Sequence, residues 1–173
     1  MIQNKKRYIV LMVILGTIII SDPYADAQDD KTTRPTLRSL QGIFLYVEPL
    51  DPQIEQSGLI KSQIQTDAES QLKSAGINVL KREDFLKEFG RPYLYIIVNI
   101  SVLKTQITRY LFYIRVELNQ EVLLVRAPQT KVSTVTWSTG GWGIDFSLDN
   151  IRETVKIQVD KFVSAYLAEN SRP

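Results

Sequence analysis

The centre of the chain alternates between apolar and polar residues, a period of two that is typical of β-strands with one buried face. Tyr93–Leu103 carries Leu, Ile, Val, Ile and Val at every second position. The same period runs through residues 110–125 and slips near Gln120, which predicts a bulge or bend there. Pro128 is expected to end this strand, and the Val- and Thr-rich run 131–138 predicts another. Together these segments predict an antiparallel meander.

Two other segments have the period of an amphipathic helix. In residues 60–75 the apolar positions recur at spacings of four and three, with Ser57 placed to cap the helix start and Gly76 placed to end it. A second apolar stripe covers residues 151–166, and Asp149 is its expected N-cap.

Shorter elements complete the predicted order. Residues 43–47 are an aliphatic and aromatic run, which predicts a first strand buried on both faces, and residues 77–80 predict a short second strand. A short helix follows, with three side chains turned inward: Phe85, Leu86 and Phe89. The order is β-α-β-(α)-β-β-β-α. We therefore predict an α+β fold with a mixed sheet, an antiparallel meander and helices packed on one sheet face. The other face mixes Tyr, Asn, Ser, Arg and Glu and is expected to be wet or used for contact.

The first 27 residues have the pattern of an export signal. A basic start precedes the 13-residue run 8–20, and Ala25 and Ala27 are the small residues that a signal peptidase requires. Spanning the hydrocarbon core takes about 20 apolar residues, so cleavage after Ala27 is favoured over an uncleaved membrane anchor. The predicted organisation is a signal peptide at 1–27, a flexible lead-in at 28–39 and a single α+β domain at 40–170. The expected location is the periplasm or the outside of the cell.

The 173-residue chain contains no His and no Cys. Without His, the chain lacks the commonest general base and metal ligand. Without Cys, it has no thiol nucleophile, no disulfide, no Cys-bound metal and no lipid attachment at an N-terminal cysteine. Lys and Arg number 21 against 19 Asp and Glu, a formal net charge of +2, which excludes a nucleic-acid binder that neutralises many phosphates. We therefore expect no cofactor, no nucleic-acid partner and no stable membrane span after signal cleavage.

Two Ser-x-x-Lys matches are the nearest approach to a nucleophile and its base. They are Ser70 with Lys73 and Ser101 with Lys104. Neither has the additional motifs of the penicillin-recognising enzymes, and chance accounts for about one such match in a chain of this composition. Ser70 and Lys73 are interpreted as the solvated side of a helix.

Carboxylates are the remaining catalytic candidates. Glu83, Asp84 and Glu88 lie among basic residues, which indicates an ion-paired surface, and Asp145 and Asp149 lie beside a helix start, where acids are favoured. We therefore predict no catalytic residue and no metal site, and we expect that the protein is not an enzyme.

The segment Gly140–Gly143, with Trp142 inside it, is the most unusual local pattern. Its glycines predict a tight turn between a strand and the last helix, because glycine tolerates positive φ. Trp137, on the strand face shared with Ser133 and Val135, is assigned to packing. Trp142 either plugs the end of the core or projects as an aromatic contact. The candidate interaction surface combines this turn with the tyrosine-bearing sheet face: Tyr93, Tyr95, Tyr113, Gly140, Gly141 and Trp142.

Two stretches, Leu80–Val98 and Val116–Gly143, resemble a family of uncharacterised secreted bacterial α+β proteins. The resemblance implies an exported domain and brings no assigned activity. The element order is also similar to that of the TolB N-terminal domain, CsgG-type periplasmic modules and auxiliary lipoproteins of transport systems. This chain departs from those lipoproteins because it has no cysteine to carry a lipid.

These observations favour an exported, non-catalytic interaction or accessory module of the bacterial periplasm or cell envelope, with a protein partner. Two alternatives stay open. One is a carrier of a small molecule or lipid in a cavity between helices and sheet, and the other is a carboxylate-dependent hydrolase. The sequence leaves the oligomeric state open.

Overall fold

A computed structural model describes residues 28–170, which build a four-stranded mixed sheet in the order β1-β2-β3-β4. The predicted signal peptide and its cleavage site lie outside these residues. The strands are β1 (Phe44–Val47), β2 (Tyr93–Leu103), β3 (Arg109–Leu124) and β4 (Ala127–Asp145). β1 and β2 are parallel, whereas β2, β3 and β4 form an antiparallel meander. The predicted α+β class and mixed sheet are confirmed.

β2 has the predicted bounds, but β3 and β4 form a longer hairpin than the sequence indicated. Val125 and Arg126 form the two-residue turn, and Pro128 lies inside β4 instead of ending a strand. Proline is tolerated there because the β3–β4 register shifts between Ala127 and Lys131, so Pro128 lies in an irregular part of an edge strand. The predicted bulge lies opposite Leu118 and Asn119, slightly before Gln120. Its extra residue, Thr136, belongs to β4 and not to β3.

The helices are α1 (Pro52–Gln56), α2 (Lys61–Ser74), α3 (Arg82–Phe85) and α4 (Leu148–Asn170). The prediction that Ser57 caps α2 is wrong, because Ser57 ends α1 and Gly58, at φ 115°, separates the two helices. Gly76 follows the end of α2 at φ 75°, as predicted for a C-terminal glycine. Asp149 is not the cap of α4; Ser147 accepts the Asp149 N–H at 3.1 Å through its hydroxyl.

Two short elements differ from their predictions. Residues 77–80 form only an isolated parallel bridge, between Val79 and Ile43, the residue before β1. Leu86 and Phe89 do not turn inward: α3 ends at Phe85, and Phe89 is 95% exposed. Gly90 and Arg91, both at positive φ, redirect the chain into β2 before a longer helix can form.

The core lies between one sheet face and the helices α2 and α4. Every second residue of β2 and β3 contributes to it, in agreement with the predicted alternation. Trp137 on β4 is fully buried, and its ring meets Phe162 of α4 edge-on with centroids 5.3 Å apart. The largest fully buried side chains include Ile64, Leu72, Leu94, Ile96, Ile114 and Leu118. Both long helices therefore cover the same face, and neither of them covers the opposite one.

Residues 28–39, predicted to be a flexible lead-in, pack against the domain in the structure. Leu37 is fully buried, and the side-chain amide of Asn170 donates to its carbonyl at 2.8 Å. Asp29 accepts from the indole N–H of Trp137 at 3.0 Å and from Nε of Arg34 at 2.6 Å. Polar groups of this segment thus form specific hydrogen bonds to the rest of the domain.

Within the described residues 28–170, no helix is both long and apolar enough to cross a membrane.

Candidate interaction surface

The sheet face opposite α2 and α4, called the open face below, carries five of the six predicted site residues. Tyr93 and Tyr95 alternate with the buried positions of β2. Tyr113 lies on β3 directly opposite Trp142 of β4, and Gly140 lies opposite Arg115. The structure thus brings the predicted tyrosines and Trp142 onto one surface. The sixth residue, Gly141, lies opposite the fully buried Ile114 and so belongs to the helix-covered face.

The prediction of a turn at Gly140–Gly143 is wrong, because this segment is part of β4. None of its glycines has a positive φ, so turn geometry does not explain them. Two of them make room for β3 instead. A Cβ at Gly140 would lie 2.3 Å from the carbonyl oxygen of Ile114, and one at Gly143 would lie 2.7 Å from the Phe112 ring. Glycine here permits a close approach of two strands.

The bulge at Thr136 decides which way the two tryptophans face. It places Val135 opposite Asn119 and Trp137 opposite Leu118, so Val135 and Trp137 do not share a face as predicted. Trp137 is fully buried, which confirms its assignment to packing. Trp142 is half-buried on the open face, so it does not plug the core.

Five aromatic rings form a cluster at the β1 side of the open face, called the Tyr95 cluster below. The ring of Phe44 stacks on Phe85 with centroids 5.0 Å apart, and Phe85 meets Tyr93 edge-on at 6.1 Å. Tyr95 lies 6.5 Å from Tyr93 and 5.4 Å from Tyr46. Each pair falls in the range in which aromatic rings attract one another beyond simple burial.

The carboxylates of Glu48 and Glu117 both act on the Tyr95 hydroxyl. Burial raises the pKa of Tyr95, and a hydrogen bond to Glu48 and the negative charge of Glu117 raise it further. The hydroxyl therefore stays protonated and can donate to Glu48 at neutral pH. Arg115 forms an ion pair with Glu117, with 2.5 Å between Nε and Oε1, and both side chains are mostly buried. The centre of the open face is thus polar, and its opposite charges are paired.

A second apolar group, called the Trp142 strip below, consists of two cross-strand pairs on β3 and β4: Tyr113 with Trp142, and Leu111 with Ile144. Three of its four residues line a shallow groove of about 400 Å³, whose full lining is Asn99, Ser101, Leu111, Phe112, Tyr113 and Trp142. Leu111 and Ile144 are 37% and 41% exposed, so both apolar side chains face solvent. Tyr113 lies opposite Asn99, which is four residues beyond Tyr95, a separation of about 13 Å along the sheet.

The apolar surface continues beyond the strands. A second groove, lined by Thr105, Gln106, Ile107, Arg109 and Phe146, lies where the β2–β3 hairpin meets the end of β4. Ile107 and Phe146 are 65% and 55% exposed. This groove extends the Trp142 strip to the end of the sheet.

Sequence reasoning missed several residues of this surface. β1 was expected to be buried on both faces, yet Tyr46 is 42% exposed on the open face. Phe85 was expected in the core and belongs to the Tyr95 cluster instead. The alternation within β1 was present as a signal, because Phe44 and Tyr46 are its two aromatic residues and are separated by one position.

The acidic and nucleophilic candidates have structural partners or are exposed. Asp145 accepts from the Ser147 N–H at 2.8 Å and from the Asn150 amide at 3.0 Å, which organises the start of α4. Lys73 forms an ion pair with Glu69 on α2, while Ser70 is exposed. Among residues 28–170, no group of three acidic side chains is arranged to hold a metal ion.

Comparison with solved structures gives a weak structural likeness. The chain matches no protein-family model and no curated protein. Its structure is similar, with a TM-score of 0.31 and 10% identity, to the crystal structure of a minor lipoprotein from Acinetobacter baumannii. The match covers 75% of this chain and 92% of that one. At this TM-score the likeness carries no argument about function.

Proposed function

We propose that this protein is an exported, non-catalytic accessory module of the bacterial cell envelope that binds a protein partner through its open face. The observation that carries the proposal is the distribution of aromatic residues. Both long helices cover one sheet face, while the Tyr95 cluster and the Trp142 strip lie on the other, which neither α2 nor α4 covers.

The composition of the open face is that of a protein-binding surface. Trp, Tyr and Arg are the residues that most often dominate binding energy at protein interfaces. Here Trp142, Tyr113 and Tyr95 provide aromatic area, while Asn99 and Ser101 are exposed and can form hydrogen bonds at the rim. The Arg115–Glu117 ion pair is already mostly buried, so a partner can cover it with little further loss of hydration.

The space between helices and sheet does not favour the carrier hypothesis. A carrier needs a cavity there, yet Trp137 and Phe162 fill the helix–sheet interface and are fully buried. The two grooves described above both lie on the outer surface, at the open face and at the end of the sheet. A ligand enclosed in the core would have to displace these packed side chains.

Site-specific photo-cross-linking in the producing cells tests the proposal. A photoreactive phenylalanine analogue is placed at Leu111, in the middle of the Trp142 strip. The matched control is Ile157, which is also apolar and is 55% exposed, but lies on α4 in the helical layer. We expect a discrete adduct from position 111, with an added mass different from that of this chain, and none from position 157.

A second variant links the adduct to the aromatic surface. Trp142→Ala combined with the probe at Leu111 should remove most of the adduct while the thermal unfolding midpoint changes little. The proposal is rejected when position 111 gives no adduct, when position 157 gives the same adduct, or when Trp142→Ala leaves the yield unchanged in a folded protein.

A further inference from the structure

The outer edge of β4 divides into a protected half and an unprotected half. Edge strands are usually shielded from pairing with other chains by proline, lysine, bulges or short length. The first half of β4 has three of these protections: Pro128, Lys131 and the bulge at Thr136. Residues 137–144 of the second half contain no charged residue and no proline.

The second half already has one antiparallel partner residue near its start. Gln28 forms an isolated antiparallel bridge with Ser138, in which the Ser138 N–H donates to the Gln28 carbonyl at 3.4 Å and the Gln28 N–H donates to the Ser138 hydroxyl at 3.2 Å. The Ser138 N–H therefore points away from β3. Because alternate residues of a strand point the same way, the N–H and C=O groups of Gly140, Trp142 and Ile144 also point outward.

These outward groups lie on a segment with two defined ends. Gln28 occupies the edge at Ser138, and the strand ends at Asp145, after which the chain turns toward α4. Residues 139–145 between these limits, called the free edge below, pair with β3 on their inner side and with no strand among residues 28–170 on their outer side. Trp142 is the central residue of the free edge.

We propose that the free edge pairs antiparallel with the free edge of a second copy of this chain, with the two-fold axis at Trp142. This inference goes beyond the proposed function, because it names a second interface and its occupant. A two-fold axis at the central residue pairs the whole free edge with itself: Thr139 with Asp145 of the other copy, Gly140 with Ile144, and Trp142 with Trp142. The Gln28 bridge and the turn after Asp145 then mark both ends of the new ladder.

The side chains of the free edge fit this register. On the open face, each Ile144 would lie beside Gly140 of the second copy, where no side chain competes for the space. The two Trp142 rings would become neighbours. Asp145 is the one charged residue of the free edge and would lie opposite the uncharged Thr139, so two copies do not repel each other there. The product is an eight-stranded sheet in which both Trp142 strips form one continuous surface.

Sedimentation velocity of the mature chain over a concentration series tests the dimer. Ile144→Pro removes one outward donor from each copy and keeps the β3 pairing, because proline is tolerated at an edge position whose N–H faces away from the sheet. It should weaken dimerisation by roughly tenfold or more. Ile144→Ala, which shortens the same side chain but keeps the N–H, should remain close to wild type. A wild-type monomer at every concentration, or an unaffected Ile144→Pro dimer, overturns the proposal.

The absence of native cysteine provides a second test that does not depend on proline. The two Trp142 Cα atoms would be about 5.5 Å apart, a separation that a disulfide spans. Under mild oxidation, Trp142→Cys should therefore form a covalent dimer in the otherwise cysteine-free chain. Ser133→Cys, exposed on the protected half of the same strand, should remain monomeric. Equal cross-linking at both positions, or none at position 142, also overturns the proposal.

Discussion

Gly140 lies so close to Ile114 that an added Cβ would be 2.3 Å from the Ile114 carbonyl oxygen. The obstacle is backbone and cannot rotate away, so any side chain at this position must push β4 from β3. We predict that Gly140→Ala lowers the free energy of unfolding by about 2–3 kcal/mol, as expected for overpacking. Urea denaturation monitored by tryptophan fluorescence measures the change.

Gly141 is the matched control for this prediction. It is the next residue on the same strand, and a Cβ added there would meet nothing within 4 Å. Gly141→Ala should change the free energy of unfolding by less than about 1 kcal/mol, because it only restricts the unfolded chain. Equal destabilisation by both variants would mean that close approach of the strands is not the reason for glycine at position 140.

The two tryptophans of the chain should differ in their contributions to stability. Trp137 is fully buried against Phe162, and its indole N–H donates to Asp29. We expect Trp137→Ala to lower the free energy of unfolding by about 3–5 kcal/mol, since it opens a large cavity. Trp142→Ala, on the open face, should cost about 1 kcal/mol or less. Chemical denaturation of both variants would contradict this assignment if Trp142→Ala proved the more destabilising.

Periodicity predicted the parts of the fold in which one physical rule determines the pattern. β2 alternates along its full length because one face meets the core and the other does not, so its bounds were correct. The Gly140–Gly143 segment was wrong because glycine serves two different needs, positive φ in a turn and close approach in a strand. The atoms that require glycine belong to Ile114 and Phe112, more than 20 residues away in the chain, and no local pattern contains them.

The candidate surface was also predictable only where alternation determines which face a residue lies on. Tyr93, Tyr95 and Tyr113 were placed on the open face by alternation alone, and the structure agrees. Trp142 was included for its chemistry, but its face depends on the bulge at Thr136, which shifts the pairing of β4 by one residue. The contribution of Phe85 depends on where α3 crosses the sheet edge, which is a tertiary fact that the sequence pattern does not contain.

Asp29 should contribute to stability although it lies in a polar segment near the start of the described chain. Its carboxylate binds both Arg34 and the buried Trp137 indole N–H. Asp29→Ala leaves that donor without its partner, so we expect a loss of about 1–3 kcal/mol in the free energy of unfolding. Lys31→Ala, an exposed neighbour, is the control and should be close to neutral. A neutral Asp29→Ala would show that residues 28–39 pack too weakly to matter.

The Asp67–Arg152 ion pair joins α2 to α4 and should make part of the stability depend on pH. Nε and Nη2 of Arg152 donate to the two carboxylate oxygens at 2.6 and 2.9 Å, and this bidentate hydrogen bonding lowers the pKa of Asp67 below its ordinary 3.8. A carboxylate with a lowered pKa in the folded protein stabilises it above the ordinary value. That contribution is lost as the pH falls through the lowered pKa.

The thermal unfolding midpoint of wild type should therefore exceed that of Asp67→Asn at about pH 7, and the difference should shrink below about pH 3.8. Glu83→Gln removes an exposed carboxylate from α3 and serves as the control; its small effect should not follow the same pH profile. The two side chains of the pair are partly exposed, so salt should also reduce the wild-type advantage. A difference between wild type and Asp67→Asn that stays constant from neutral to acidic pH would assign the Asp67 contribution to packing and not to charge.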